Sequence, residues 1–136
     1  METETRLTIG DLARQADVNV ETIRYYESIG LLRQPSKPAR GWRRYGSEAV
    51  LRLRFVRRAQ QLGFALAEIK TLLKLRASDN PRTCSSVAKK ADQKLAEIDE
   101  KIRDLQGMRK VLVALAEACP GDGGGDKCPM LQALET

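Results

Sequence analysis

Residues 84–119 read CSSVAKKADQKLAEIDEKIRDLQGMRKVLVALAEAC, and this stretch decides the expected fold. It has no proline and one glycine, Gly107, and its apolar residues recur at three- and four-residue steps. That spacing is typical of one long helix with a coiled-coil seam, within a mainly α-helical chain. The predicted seam residues are Ala91, Leu95, Ile98, Ile102, Leu105, Met108, Leu112 and Leu115.

A cysteine stands at each end of this predicted helix. At about 1.5 Å rise per residue, the sulfurs of Cys84 and Cys119 lie roughly 50 Å apart and cannot bind one ligand within one chain. If a second copy runs antiparallel and facing residue numbers sum to 203, Cys84 meets Cys119 and Ile98 meets Leu105. The pattern fits an antiparallel dimer. The alternative is that these residues pack on the chain's own N-terminal half.

A third cysteine follows a glycine-rich segment. Residues 121–125 hold four glycines, and Cys128 comes directly after Lys127. We expect a compliant loop that folds Cys128 back toward Cys119, covered by a short helix over residues 130–134. The N-terminus lacks the apolar core of a signal peptide and no segment is long and apolar enough for a membrane span, so we expect a cytoplasmic protein. Thiols stay reduced there, which favours metal or redox chemistry.

The first part of the chain shows a helix-turn-helix pattern. Thr8 can cap a helix over residues 9–16, a break follows at 17–19, and a second helix begins near Val20 and stops at Gly30. Residues 31–45 hold two prolines and a glycine, which predicts an extended wing with a basic tip.

Two further helices should complete this domain. Ser47 is the expected cap of the third helix, and Gly63 its end. The fourth should run over residues 66–76 with Ile69, Leu72 and Leu73 on its apolar face. In the third helix we expect one inward set and one outward set. The inward set is Val50, Leu53, Val56 and Leu62; the outward set is Arg52, Arg54, Arg57 and Arg58.

The positive charge lies in the first half. Residues 1–76 carry 15 basic and 8 acidic side chains, whereas residues 77–136 carry 9 and 10. Residues 40–58 alone contain seven arginines and one acid, beside Trp42 and Tyr45. This composition favours a phosphate-binding surface. The chain has no histidine, nucleotide loop or cofactor motif, so we expect no enzyme.

Several motifs resemble the MerR family of transcription regulators. They are residues 9–13 (IGDLA), 22–27 (TIRYYE), 30–32 (GLL), 43–45 (RRY), 55–64 (FVRRAQQLGF) and 68–69 (EI). The three cysteines resemble those of the mercury-responsive members. The resemblance implies a winged helix-turn-helix domain over 1–76, a linker and long antiparallel dimerisation helix over 77–118, and a metal-binding loop with a short helix over 119–136.

The resemblance also implies a mechanism. Such a homodimer binds double-stranded promoter DNA whose recognition elements are too far apart for RNA polymerase, and it represses without effector. With effector it distorts the DNA and activates. The implied DNA contacts are Thr22, Arg24, Tyr25 and Tyr26 on the second helix, Arg40, Trp42, Arg43, Arg44 and Tyr45 in and beside the wing, and Arg57. Arg24 is expected to read a base edge.

The implied effector is a soft metal. Cys84 of one protomer, with Cys119 and Cys128 of the other, would supply three thiolates without imidazole, which favours Hg(II). Lead(II) or cadmium(II) is the alternative, since the family members that respond to these metals carry a similar set of three cysteines. The loop is glycine-rich and acidic, and Glu117 stands where mercury regulators often have a further cysteine. A thiol redox regulator, with a disulfide between Cys119 and Cys128, is the other alternative.

Overall fold

The computed structural model describes residues 6–136, and its regular elements are helices. They are α1 Ile9–Ala16, α2 Val20–Ser28, α3 Ser47–Gln61, α4 Leu66–Arg76, α5 Thr83–Ala118 and α6 Pro129–Leu134, with a 3-10 turn at Gly125–Lys127. Within residues 6–136 the only β pairing is an isolated antiparallel bridge between Leu7 and Tyr45. The mainly α-helical fold predicted from the sequence is confirmed. None of these helices is both long and apolar enough to cross a membrane.

The helix-turn-helix forms where its capping residues predict it. The amide of Asp11 donates to Thr8 Oγ1 at 3.2 Å and satisfies one free N–H group of α1. Asp17 ends α1 in the left-handed conformation, with φ 56° and ψ 48°. Asn19 then caps α2, because its Oδ1 accepts from the amide of Thr22 at 2.7 Å. The break at 17–19 is therefore a tight turn with a cap on each side.

The core lies among α1 to α4. Its fully buried large side chains are Leu12, Ile23, Leu31, Leu53, Val56 and Ile69. Burying an aliphatic side chain of this size contributes about 1.5–3 kcal/mol, so these contacts hold the four short helices together. The chain leaves α2 through Leu31 and Leu32, whose amides both donate to the carbonyl of Tyr26. Both leucines return to the core and anchor the start of the wing.

Two expectations for α3 are wrong. The N-cap position is Gly46, and no side-chain cap bond forms, so Ser47 is the first helical residue. Leu62 is 64% exposed rather than buried, because it follows the last residue of the helix and the backbone turns there. Ala59 is the last inward residue of α3 that the core buries. The bounds of α4 match the prediction.

The wing, residues 33–44, is extended but carries no strand ladder. Arg43 Nε donates to the carbonyl of Pro35 at 3.0 Å and joins the two arms. At its end, Leu7 and Tyr45 exchange two backbone hydrogen bonds of 2.8 Å. These bonds tie the wing to the segment before α1.

The chain divides into two compact units, Met1–Val87 and Ala88–Thr136. In the second unit, α5 is exposed over nearly its whole length, apart from the buried Lys94 and the half-buried Lys90 and Leu115. The Lys94 ammonium pairs with Glu97 Oε2 at 2.8 Å. In α6, Leu131 and Leu134 are also exposed. Most helices in proteins gain their stability from packing an amphipathic face, and within this chain α5 buries little of its surface.

Candidate functional site

The outer face of α2 carries the side chains best placed to contact an external ligand. Arg24 is exposed, and Tyr25 is 53% exposed. Thr22 is half-buried, and its hydroxyl donates to Asn19 Oδ1 at 2.7 Å. The opposite face places Ile23 in the core. Arg24 is therefore the long donor that α2 presents to solvent.

Two tyrosines expected among the DNA contacts lie in the core instead. Tyr26 is 7% exposed and Tyr45 is 2% exposed. The Tyr26 hydroxyl donates to Gln60 Oε1 at 3.1 Å, and the Tyr45 hydroxyl donates to Glu27 Oε2 at 3.0 Å. Burial, together with the bond to the Glu27 carboxylate, raises the pKa of Tyr45 to about 12. The bonds of these two hydroxyls hold α2 against α3 and against the end of the wing.

The wing is more exposed. Arg40 and Arg44 face solvent, and Trp42 is 78% exposed. Between the wing and α2 lies an open groove of about 760 Å³. Its charged, polar and aromatic lining comprises Arg24, Glu27, Gln34, Lys37, Trp42, Arg43 and Tyr45. Three cations against one carboxylate suit a phosphate-bearing ligand.

Arg57 does not extend freely into solvent. Its Nη1 donates to the Asp17 carbonyl at 2.6 Å and to Asp17 Oδ2 at 2.7 Å. Arg57 is predicted from the sequence to hold phosphate, whereas its partner Asp17 is not among the predicted site residues. A 40-residue separation leaves no periodic signal for such a pair, although an aspartate in a helix-turn-helix break is a recognisable turn residue.

Two residues outside the predicted site, Glu27 and Arg52, also position this surface. Glu27, at the end of α2, accepts a hydrogen bond from the Tyr45 hydroxyl. Arg52 is exposed, as expected of the outward set, and its Nε donates to the carbonyl of Leu31 at 2.6 Å. These contacts fix α2 and the start of the wing against α3.

The second unit brings two of the three cysteines together. Cys119 follows the last residue of α5, and Cys128 precedes α6. The pKa of Cys128 lies below its usual range because its sulfur accepts hydrogen bonds from the Leu131 and Met130 amides and from the Cys119 thiol. Amides at a helix N-terminus stabilise a thiolate. The loop closes as expected, through glycines with φ of 82° at Gly121 and 107° at Gly123.

The third cysteine lies elsewhere in the chain. Cys84 is the second residue of α5 and is exposed. Within residues 6–136 of one chain, no three cysteine, aspartate or glutamate side chains cluster closely enough to hold a metal ion. Within one chain, Cys119 and Cys128 therefore stand as a pair of thiols.

A capped helix-turn-helix, a basic groove and an exposed long helix define a DNA-binding transcription regulator. The chain belongs to the MerR family. The family model described as "MerR HTH family regulatory protein" matches residues 7–75, and that described as "MerR, DNA binding" matches residues 50–115. Because these matches are to regulators, the expectation that the chain is not an enzyme is also confirmed.

Among the relatives, the mercuric resistance operon regulatory protein of Shigella flexneri is 46% identical over 95% of this chain and 88% of its own. A lead(II)-bound regulator from Ralstonia metallidurans superposes with TM-score 0.80 at 33% identity, covering 94% of this chain and 98% of its own. A mercury(II)-bound regulator from Bacillus megaterium superposes with TM-score 0.72 at 35% sequence identity. The match covers 96% of this chain and 100% of that regulator's chain.

Proposed function

We propose that this protein is a mercury(II)-sensing transcription regulator that represses its promoter without metal and activates it with metal. The observation that carries the proposal is the pairing of Cys119 with Cys128, which provides two thiols at one point and no third. Three thiolates without imidazole form a soft site, and soft sites favour soft metals. The Shigella regulator's name and the mercury(II)-bound Bacillus structure support this choice.

The third ligand in this proposal is the partner's Cys84. An α5 of 36 residues is about 54 Å long, and Cys84 and Cys119 stand at its opposite ends. An antiparallel copy of α5 reverses the order, so each end of the dimer receives one protomer's Cys84 and the other's pair. Each dimer then holds two equivalent sites.

The exposed stripe on α5 supports this dimer. Leu95, Ile98, Ile102, Leu105 and Met108 are between 37% and 60% exposed. A regulator does not ordinarily leave so continuous an apolar row in water. With facing numbers summing to 203, Leu95 packs on the partner's Met108 and Ile98 packs on the partner's Leu105.

Operator binding in this proposal uses α2 and the wing of both protomers. Arg24 reads a base edge, while Arg40, Arg43 and Arg44 hold phosphates. Metal binding changes the dimer so that it distorts the promoter and lets RNA polymerase engage both recognition elements. The same DNA-bound dimer then represses the promoter without metal and activates it with metal.

A second candidate effector is lead(II) or cadmium(II). The lead(II)-bound Ralstonia regulator superposes with TM-score 0.80, above the 0.72 of the mercury(II)-bound protein. Transcription from the regulated promoter, titrated separately with Hg(II), Pb(II) and Cd(II), discriminates them. If Hg(II) activates transcription at the lowest concentration, mercury is the effector. If Pb(II) or Cd(II) activates transcription at a lower concentration than Hg(II), the second candidate is correct.

The shared site is tested by mixing two defective proteins. Cys84→Ser retains the Cys119 and Cys128 pair, and Cys119→Ser/Cys128→Ser retains only Cys84. We expect neither protein alone to show the three-thiolate charge-transfer band with Hg(II), and we expect the band to appear once they are mixed and re-annealed.

The matched control mixes Cys84→Ser with the triple serine variant, which cannot complete a site. If the first mixture shows no more of the three-thiolate charge-transfer band than this control, the site does not combine thiols from two chains. A band from Cys84→Ser alone would show that two thiolates suffice.

A further inference from the structure

The turn between α1 and α2 is held from a third helix. Arg57, on α3, donates through Nη1 to both the carbonyl and the carboxylate of Asp17, at 2.6 and 2.7 Å. The Arg57 side chain is 41% exposed and the Asp17 side chain 85%, so the ion pair faces water and the bond to the Asp17 carbonyl fixes the backbone. A guanidinium that bonds a backbone carbonyl and a carboxylate together fixes the position of the chain as well as its charge.

Asp17 has a backbone conformation that needs support. Its φ of 56° makes it the one non-glycine residue with positive φ among residues 6–136. Side-chain-bearing residues disfavour this region, although aspartate tolerates it better than most. Local bonds also hold it: the Asp17 amide donates to the Arg14 carbonyl at 3.3 Å, and the Val18 amide donates to the Ala13 carbonyl at 3.0 Å.

The direction of α2 depends on this turn. Asn19 follows two residues after Asp17 and caps α2, and the exposed Arg24 lies one and a half turns further along. A rotation of the backbone at Asp17 therefore moves Arg24 relative to α3.

We propose that Arg57 is a positioning residue for DNA recognition. In this proposal it locks the Asp17 turn, and with it the orientation of α2, and does not act chiefly by contacting phosphate. The proposal rests on the family's DNA binding and is independent of the metal.

The two roles differ before DNA is added. A phosphate contact acts only in the complex, so its loss leaves the free protein unchanged and lowers the slope of log affinity against log salt by about 0.9 for each contact. A positioning contact acts in the free protein, and its loss leaves that slope nearly unchanged.

The first test compares Arg57→Gln with Arg58→Gln in the full dimeric protein. Arg58 is the neighbouring exposed arginine, so the control removes the same charge without touching the Asp17 turn. For Arg57→Gln we expect faster amide exchange at Asp17 and Val18 without DNA. Operator binding should weaken roughly fivefold to tenfold with an unaltered salt slope. Arg58→Gln should leave the exchange at these amides unchanged.

The second test is Asp17→Asn, which keeps a residue that tolerates positive φ but removes the carboxylate. We expect weaker operator binding, although the protein has lost a negative charge. A phosphate role for Arg57 predicts equal or tighter binding, because the variant repels DNA less and frees the guanidinium. The double variant Asp17→Asn/Arg57→Gln should bind no more weakly than Arg57→Gln alone, since both changes break one contact.

A reduced salt slope with unchanged exchange in Arg57→Gln would overturn the proposal, as would unchanged binding by Asp17→Asn. Should Arg57→Gln fail to fold, Asp17→Asn still decides between the roles through its opposite predicted signs.

Discussion

The hydroxyl of Tyr45 donates a 3.0 Å hydrogen bond to Oε2 of Glu27 and so joins the end of the wing to α2. Tyr45 also pairs through its backbone with Leu7, and its ring is buried in the core. One side chain therefore holds together the segment before α1, the wing and α2. The groove that carries Arg24, Trp42 and Arg43 lies beside this junction.

We expect Tyr45→Phe to keep the core ring and lose only this hydrogen bond, at a cost of about 1–2 kcal/mol in unfolding free energy. The pH dependence gives a sharper test. The pKa of Tyr45 is raised to about 12 in the folded protein, against about 10 in the unfolded chain. The unfolded chain therefore releases this proton first, and the stabilisation, present below pH 10, declines as pH rises from 10 to 12. Chemical unfolding should show a steeper decline for the native protein than for Tyr45→Phe.

Trp42 is the only tryptophan in the chain and is 78% exposed on the wing. Contact with DNA should shield the indole, so operator DNA should shift its emission to shorter wavelength and reduce quenching by acrylamide. Trp42→Phe should keep the unfolding free energy within about 0.5 kcal/mol, because the side chain packs on little. Unchanged emission at saturating operator DNA would show that the wing tip stays in solvent.

Arg24→Ala should weaken operator binding and relax specificity at one base pair, by about 1–3 kcal/mol. Arg44→Ala is the matched control, since an exposed wing arginine that holds phosphate should weaken binding evenly on all sequences. Mobility-shift titrations on the operator and on singly substituted operators separate the two. Equal losses on every sequence for Arg24→Ala would remove its assigned role.

Ile98→Asp should convert the dimer into monomer and abolish operator binding. Each dimer would bury two unpaired carboxylates against the partner's Leu105, which costs several kcal/mol or forces their protonation. Ala96→Asp adds the same charge on the opposite side of α5, where the residue is also exposed, and should remain dimeric. Sedimentation velocity measures both, and a dimeric Ile98→Asp protein would exclude the register summing to 203.

Gly107→Ala should stabilise α5 by about 0.5–1 kcal/mol, because Gly107 is helical and an added Cβ meets nothing within 4 Å. Gly30→Ala is the matched opposite. Its Cβ would meet only the end of the flexible Lys70 side chain at 3.5 Å, but φ is 79° there. We expect the midpoint temperature of thermal unfolding to rise for Gly107→Ala and to fall for Gly30→Ala.

The residues whose structural role was predicted correctly depend on neighbours close in sequence. Thr8 caps α1 through a residue three positions away, and α4 has the predicted bounds. The 36 residues of α5 follow from apolar spacing and the absence of proline. Closure of the Cys119–Cys128 loop was likewise predictable, since consecutive glycines allow the chain to reverse.

The helices, the turn, the basic surface and the separation of the cysteines could all be predicted from the sequence, because each depends on local conformational preference or on composition. Tertiary structure alone decided that Tyr26 and Tyr45 are buried, that Leu62 is exposed and that Arg57 bonds Asp17. An arginine or tyrosine on a helix can reach solvent or a neighbouring element with nearly the same local energy. Packing with residues many positions away selects between these orientations, and no periodic pattern records that choice.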